Sequence, residues 1–109
     1  QELFKALSDE TRLRILALLE DKELCVCEIE ASLGLTQSNA SRHLNYLRRN
    51  GILSSRKKAQ WTYYRVSDRF KVEHGHLHKY LSENLCSLPT YLQDKDNYHS
   101  CSKIDACGC

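Results

Sequence analysis

Two apolar stripes at helical spacing meet across three residues, Gly34–Leu35–Thr36, and this junction restricts the fold more than any other feature of the chain. Upstream, Val26, Ile29 and Leu33 recur at i, i+3 and i+7, and Gly34 supplies the left-handed residue that commonly stops a helix. Downstream, Thr36 is placed to cap a helix from Gln37 to Arg49 in which Ala40, Leu44 and Leu47 form one stripe. Arg48 and Arg49 suit its carbonyl end, and Asn50–Gly51 terminates it. A short helix, a tight turn and a longer helix make a helix-turn-helix unit.

The flanks are read in the same way. Leu13, Leu16 and Ala17 share a helix face, so two linked helices are expected between Glu2 and Asp21, broken near Leu7–Ser8. Ser8 is the expected N-cap of the second, with Asp9 and Glu10 in its first turn. After Gly51, Ile52–Arg56 and Trp61–Val66 read as two strands around the basic Lys57–Lys58–Ala59–Gln60, with Trp61, Tyr63 and Tyr64 mostly in ordinary strand packing. From Asp68 a helix is signalled again, with Leu77, Leu81 and Leu85 four apart and Tyr80 alongside. A single helix from Arg69 to Leu85 would reach roughly 25 Å. Its stripe, with little chain left to cover it, reads as a dimer element. Beyond Pro89 the polar stretch from Gln93 to Cys109 lacks periodicity and is expected to stay outside the core. The expected fold class is mainly α, a winged helix-turn-helix with a two-stranded wing, dimeric through its terminal helices. Residues 1–88 would form the domain and 89–109 a cysteine-containing tail.

The net charge of +2 conceals a strong asymmetry: residues 36–67 carry seven basic side chains and no carboxylate, whereas residues 1–35 carry four basic and eight acidic ones. Such a stretch is either a solvated basic face or a surface that meets phosphates. The outer positions of the second helix favour the latter. Gln37, Ser38, Asn39, Ser41, Arg42, His43 and Asn45 are small or hydrogen-bonding, and none is acidic, which suits base edges and phosphates in a major groove. A hairpin directly after such a helix is a wing, and its Arg56, Lys57 and Lys58 would reach neighbouring phosphates. Double-stranded operator DNA is the expected partner.

Other classes recede. A chain of 109 residues leaves little room for an enclosed substrate cavity, and no C-x-x-C redox motif, phosphate loop or paired acid and base is visible, so an enzyme is not expected. No apolar run approaches the roughly 18 to 20 residues of a membrane span and no leader pattern opens the sequence. A soluble, cytoplasmic, reducing setting is expected, with a short N-terminal piece missing before Gln1.

In that setting the six cysteines point to metal or redox chemistry. Cys25–Val26–Cys27 and Cys107–Gly108–Cys109 are C-x-C pairs, unlike the C-x₂₋₄-C pairs usual in structural zinc sites, and thiolates select soft ions.

Several ordered motifs over roughly Glu2 to Asn84 resemble the ArsR/SmtB family of winged-helix metalloregulators, most closely its arsenic-responsive repressors. Leu7–Ser8–Asp9–Glu10–Thr11–Arg12–Leu13–Arg14–Ile15–Leu16 is similar to the opening helices, and Glu23–Leu24–Cys25–Val26–Cys27–Glu28–Ile29 to the metal-binding box. Gln37–Ser38–Asn39–Ala40–Ser41–Arg42–His43–Leu44 resembles the recognition helix, and Gly51–Ile52–Leu53 through Tyr64–Arg65–Val66 the wing. The resemblance implies a homodimeric repressor that holds operator DNA when metal-free and releases it on binding a toxic metal or metalloid. It carries base and phosphate contact to Gln37, Ser38, Ser41 and Arg42, with Asn39 and His43 as weaker members, and metal binding to Cys25 and Cys27. Arsenite or antimonite is the first expected inducer; cadmium, lead or zinc sensing and a thiol-redox switch are the alternatives.

One departure stands out. In the best-known arsenic-responsive members of the family the box continues to a third cysteine three residues after the second, and here that position is Glu30. A third thiolate would come from Cys86, Cys101, Cys107, Cys109 or a missing N-terminal segment. Residues at i and i+2 of a helix point about 200° apart, so an ion shared by Cys25 and Cys27 is expected to distort the first turn of their helix. His74, His76 and His78 lack the spacing of the family's other site and are expected to be exposed helix-surface residues rather than ligands.

Overall fold

The computed structural model describes residues 2–104, with side chains through residue 100. Seven helices and three strands follow in order: α1 (Glu2–Ala6), α2 (Glu10–Leu18), β1 (Leu24–Cys25), α3 (Val26–Leu33), α4 (Gln37–Arg49), β2 (Leu53–Lys58), β3 (Trp61–Val66), α5 (Asp68–Glu73), α6 (Gly75–Asn84) and α7 (Tyr91–Ile104), with a 3₁₀ turn at Leu85–Ser87 before α7.

The helix-turn-helix forms from local signals. Gly34 adopts φ 67° beyond the end of α3, where its amide donates to the Glu30 carbonyl. Thr36 caps α4, its hydroxyl accepting from the Asn39 amide at 3.2 Å. Ala40, Leu44 and Leu47 are fully buried against Ile15, Leu19, Ile29 and Ile52 in the single hydrophobic cluster of the described residues. Full burial of one such leucine or isoleucine is worth roughly 1.5–3 kcal/mol, so this stripe is what fixes α4 on the body.

Four expectations change. Asp9, not Ser8, caps α2: its carboxylate accepts from the Arg12 amide at 3.1 Å, while the Ser8 hydroxyl turns back to the Lys5 carbonyl. The wing has a third strand, since β1 pairs antiparallel with β3 (Leu24↔Tyr64, Cys25↔Tyr63) to give the order β1-β3-β2. The helix expected from Arg69 to Leu85 is broken at His74 (φ −128°, ψ 44°), and the Gly75 that follows starts α6.

Finally, α7 replaces the expected tail. It packs on α2 and α3, with Asp94 buried and Tyr91 and Tyr98 against the core. Cys107 and Cys109 lie outside the described residues, as does the Cys101 side chain.

Candidate nucleic-acid interface and thiol pair

The exposed face of α4 carries Gln37, Ser38, Asn39, Arg42, Asn45, Arg48 and Arg49, with Ser41 half-buried at its margin. Arg42 and Arg48 each lean on the preceding asparagine of the face, donating to Asn39 Oδ1 (3.3 Å) and Asn45 Oδ1 (3.2 Å). These contacts are to neutral amides, so neither arginine is paired with a carboxylate through them. No carboxylate stands on α4.

His43 does not belong to that face. It is 5% exposed, and Arg12 Nη1 lies 3.2 Å from its Nδ1. Arg42 Nη2 lies 3.4 Å from Nε2, so guanidinium donors stand beside both ring nitrogens, which disfavours a protonated ring. Burial holds its pKa below the ordinary histidine value, with Arg42 and Arg12 adding to the effect against the opposing pull of Asp9. His43 thus joins α4 to the start of α2 and lies off the exposed face on which the sequence had placed it. Its place between Ala40 and Leu47, three and four residues away, was the available signal.

On the wing, β2 and β3 pair from Leu53↔Val66 to Lys58↔Trp61, leaving the two-residue tip Ala59–Gln60 with Ala59 at φ 57°. Lys57 and Lys58 are exposed near the tip. Arg56 is engaged: both its Nε and Nη2 donate to Glu23, at 2.8 and 2.6 Å, and its guanidinium lies 5.3 Å over the Tyr63 ring. The arginine's hydrogen bonds hold the Glu23 carboxyl below the usual carboxylate range. Glu23, two residues before Cys25, is a contributor that sequence reasoning missed, because only the β1–β3 pairing brings it to the wing.

The thiol pair stands where these parts join. Cys25 is the last residue of β1 and the N-cap of α3, in extended conformation (φ −79°, ψ 159°), and Cys27 is in the first turn of the helix. Only Cys27 is thus helical, so the i, i+2 helix geometry on which the expected distortion rested does not describe this pair. Cys25 is fully buried and disulfide-bonded, while Cys27 is half-buried and free. The Cys25 amide donates to Glu28 Oε1 at 3.0 Å, which fixes the turn from the helix side. Among the described residues no group of three or more His, Cys, Asp or Glu converges. Cys86 is exposed, its thiol directed to the Glu83 carbonyl at 3.7 Å. His74 and His78 pack around Phe70, with ring centroids 5.7 and 6.1 Å away.

Away from these sites, Phe4, Val72 and Tyr80 are 69, 83 and 62% exposed, and Leu3 and Phe4 face His74–Leu77 across an open groove. No helix among the described residues is long and apolar enough to cross a membrane.

Comparison with known proteins agrees with this geometry. Residues 9–55 match the family described as "Bacterial regulatory protein, arsR family". The arsenical resistance operon repressor of Escherichia coli K12 is 49% identical over 67 residues, covering 61% of this chain and 57% of the repressor. The chain spans between half and three fifths of the length of the arsenic-resistance regulators that it matches. Among solved structures, HlyU from Vibrio cholerae superposes with a TM-score of 0.62 at 43% identity, covering 72% of this chain and 86% of HlyU. The homodimeric winged helix-turn-helix DNA-binding domain of Mb0332 from Mycobacterium bovis does so with a TM-score of 0.64 at 28% identity, covering 76 and 77%. These relatives are regulators of transcription, not enzymes, and the chain belongs to the ArsR family of winged helix-turn-helix transcriptional regulators.

Proposed function

We propose that the chain is a metalloregulatory repressor that holds operator DNA as a homodimer and releases it when arsenite or antimonite binds through Cys25 and Cys27. In this reading Gln37, Ser38, Asn39, Ser41 and Arg42 enter the major groove, and Lys57, Lys58 and Arg56 meet phosphates. The single observation that carries it is the double role of Cys25, paired with Tyr63 on the wing and capping the first helix of the helix-turn-helix. A ligand that draws Cys25 and Cys27 together acts on the β1–α3 turn. The displacement reaches the wing through the β1–β3 ladder and α4 through its packing on α3. Coupling of about 1–3 kcal/mol between the two sites would lower DNA affinity roughly 5- to 150-fold.

The name of the Escherichia coli relative supports arsenic as inducer, and the exposed apolar side chains of α1, α5 and α6 support self-association. Operator affinity measured by fluorescence anisotropy, with and without arsenite, tests the reading. Release is expected for the reduced wild type and lost in Cys25→Ser and Cys27→Ser. Unchanged affinity of the wild type in saturating arsenite overturns it.

The disulfide at Cys25 favours a second reading, a thiol-redox regulator. There two thiols give two electrons and two protons to an oxidant such as a peroxide, and the new disulfide takes the place of the inducer. DNA release by arsenite while mass spectrometry finds every thiol reduced excludes it.

A further inference from the structure

Helix α1 is five residues long, too short to hold a helical form unaided, and its outer face carries the exposed Phe4. Leu3, Ala6 and Leu7 seat its inner face on the core, and its last carbonyls need donors from outside the helix. Arg12, in the first turn of α2, provides them. Its Nε donates to the Ala6 carbonyl at 2.7 Å, and its Nη2 donates to the Lys5 carbonyl at 3.2 Å, beside the Ser8 hydroxyl. The third nitrogen, Nη1, lies 3.2 Å from His43 Nδ1 on α4, and the guanidinium carbon stands 4.5 Å over the Tyr46 ring. Arg12 thus touches the end of α1 and two residues of α4 at once, with all three nitrogens engaged.

Two further contacts extend this junction. The Tyr46 hydroxyl donates to Glu2 Oε1 at 3.1 Å, a second tie from α4 to the first residue of α1. On the far side of the His43 ring stands Arg42, so one buried imidazole lies between Arg12 and a side chain of the exposed α4 face. The apolar stripe of α4 attaches that helix to the body, but apolar burial has no preferred direction. A planar fork with three engaged nitrogens and a stacked face does, and it fixes how α4 is set relative to α1. A lysine at this position would keep the charge and lose the fork.

We propose that Arg12 is a positioning residue that couples the seating of α1 to the orientation of α4, so that self-association through the outer face of α1 and groove entry by α4 reinforce each other. This rests on the reading of α4 and of the exposed apolar side chains given above. A partner copy packed on Phe4 holds α1, α1 holds Arg12 through its carbonyls, and Arg12 holds His43 and Tyr46. The arginine itself meets no DNA, because its nitrogens face Lys5, Ala6 and His43. Its effect is on the geometry of the reading face and leaves the number of phosphate contacts alone. By linkage, DNA that selects the held orientation of α4 tightens self-association by the same factor.

The test uses the reduced full chain without arsenite, a duplex selected by the wild type from a random pool, and a random duplex of equal length. Fluorescence anisotropy gives both affinities and their salt slopes, sedimentation equilibrium the dimer constant, and a urea titration the folded fraction. Arg12→Lys, studied where it is folded and dimeric, is expected to lose at least about tenfold on the selected duplex. Its binding to the random duplex should stay within about twofold, with the same salt slope, and its dimer constant should weaken several-fold. An arginine that merely stabilises the fold predicts equal losses on both duplexes, or none after correction for the folded fraction. Either result overturns the inference, and so does an unchanged dimer constant. Tyr46→Phe removes only the hydroxyl bond to Glu2 and serves where Arg12→Lys does not fold. A loss of about two- to threefold confined to the selected duplex is expected, and no loss overturns the inference. A wild type that selects no sequence, or binds its selected duplex as a monomer, defeats the underlying reading and the inference with it.

Discussion

Arg14 grips both carboxylate oxygens of Asp94, at 3.0 and 2.8 Å, and the nitrogen making the shorter bond also donates to the Leu33 carbonyl. One guanidinium thereby ties α2, α3 and α7 together, and its pKa is raised chiefly by the Asp94 hydrogen bond. Asp94→Ala leaves that largely buried cation with a single carbonyl. A loss of about 2–3 kcal/mol is expected, read as a lower urea midpoint at unchanged slope. Asp94→Asn should lose less, because one acceptor oxygen remains.

His43 predicts a pH dependence. Its folded pKa is below the ordinary 6.5, so the unfolded chain takes up the proton more readily. The stabilisation is complete above the unfolded value and is lost as pH falls through the lowered folded value. Between about pH 7.5 and 5, His43→Gln should show a flatter decline in stability than wild type by denaturant titration. An identical slope in both proteins removes His43 as the titrating group.

The Arg56–Glu23 pair predicts a gain. Glu23 is a carboxylate bound to a wing cation, and on DNA it would also face phosphates. Glu23→Gln should tighten metal-free operator binding a few-fold and leave thermal stability nearly unchanged, since exposed pairs contribute little. Weaker binding would mean that the pair instead orients Arg56 for contact.

Wing and helix cations should separate by their salt response. Lys57→Ala is expected to weaken operator and random duplex alike and to lower the slope of log K against log salt by about one. Arg42→Ala should cost more on the operator than on random sequence if it reads a base, by about 1–3 kcal/mol.

Gly34 has φ 67° with no atom within 4 Å of where a Cβ would stand. Gly34→Ala therefore meets backbone strain without a clash, and a loss of about 1 kcal/mol is expected in thermal unfolding.

The parts legible in the sequence were those encoded within a few residues. Thr36, the Ala40–Leu44–Leu47 stripe and Asn50 gave the bounds of α4 because cap, stripe and stop are all local. β1 escaped because a two-residue strand exists only through its pairing with Tyr63 and Tyr64, some 38 to 40 positions away. α7 escaped because Asp94 and Asn97 dock it through polar contacts, which leave no apolar periodicity to read. His43 was misplaced because its residue type, not its position on the buried stripe, decided the reading. The break at His74 was foreshadowed by Gly75, whose helix cost of about 1 kcal/mol was visible without coordinates.

With β3 in the middle of the sheet and β1 covering one side of it, β2 is left as an open border. Its outward half is Arg56–Lys57–Lys58. Unpaired strands invite addition of a strand from another molecule, and a run of cations discourages it by repulsion. Stripping these charges should therefore weaken colloidal behaviour as well as nucleic-acid affinity. A variant engineered for reduced DNA binding is better made on α4 than on the wing.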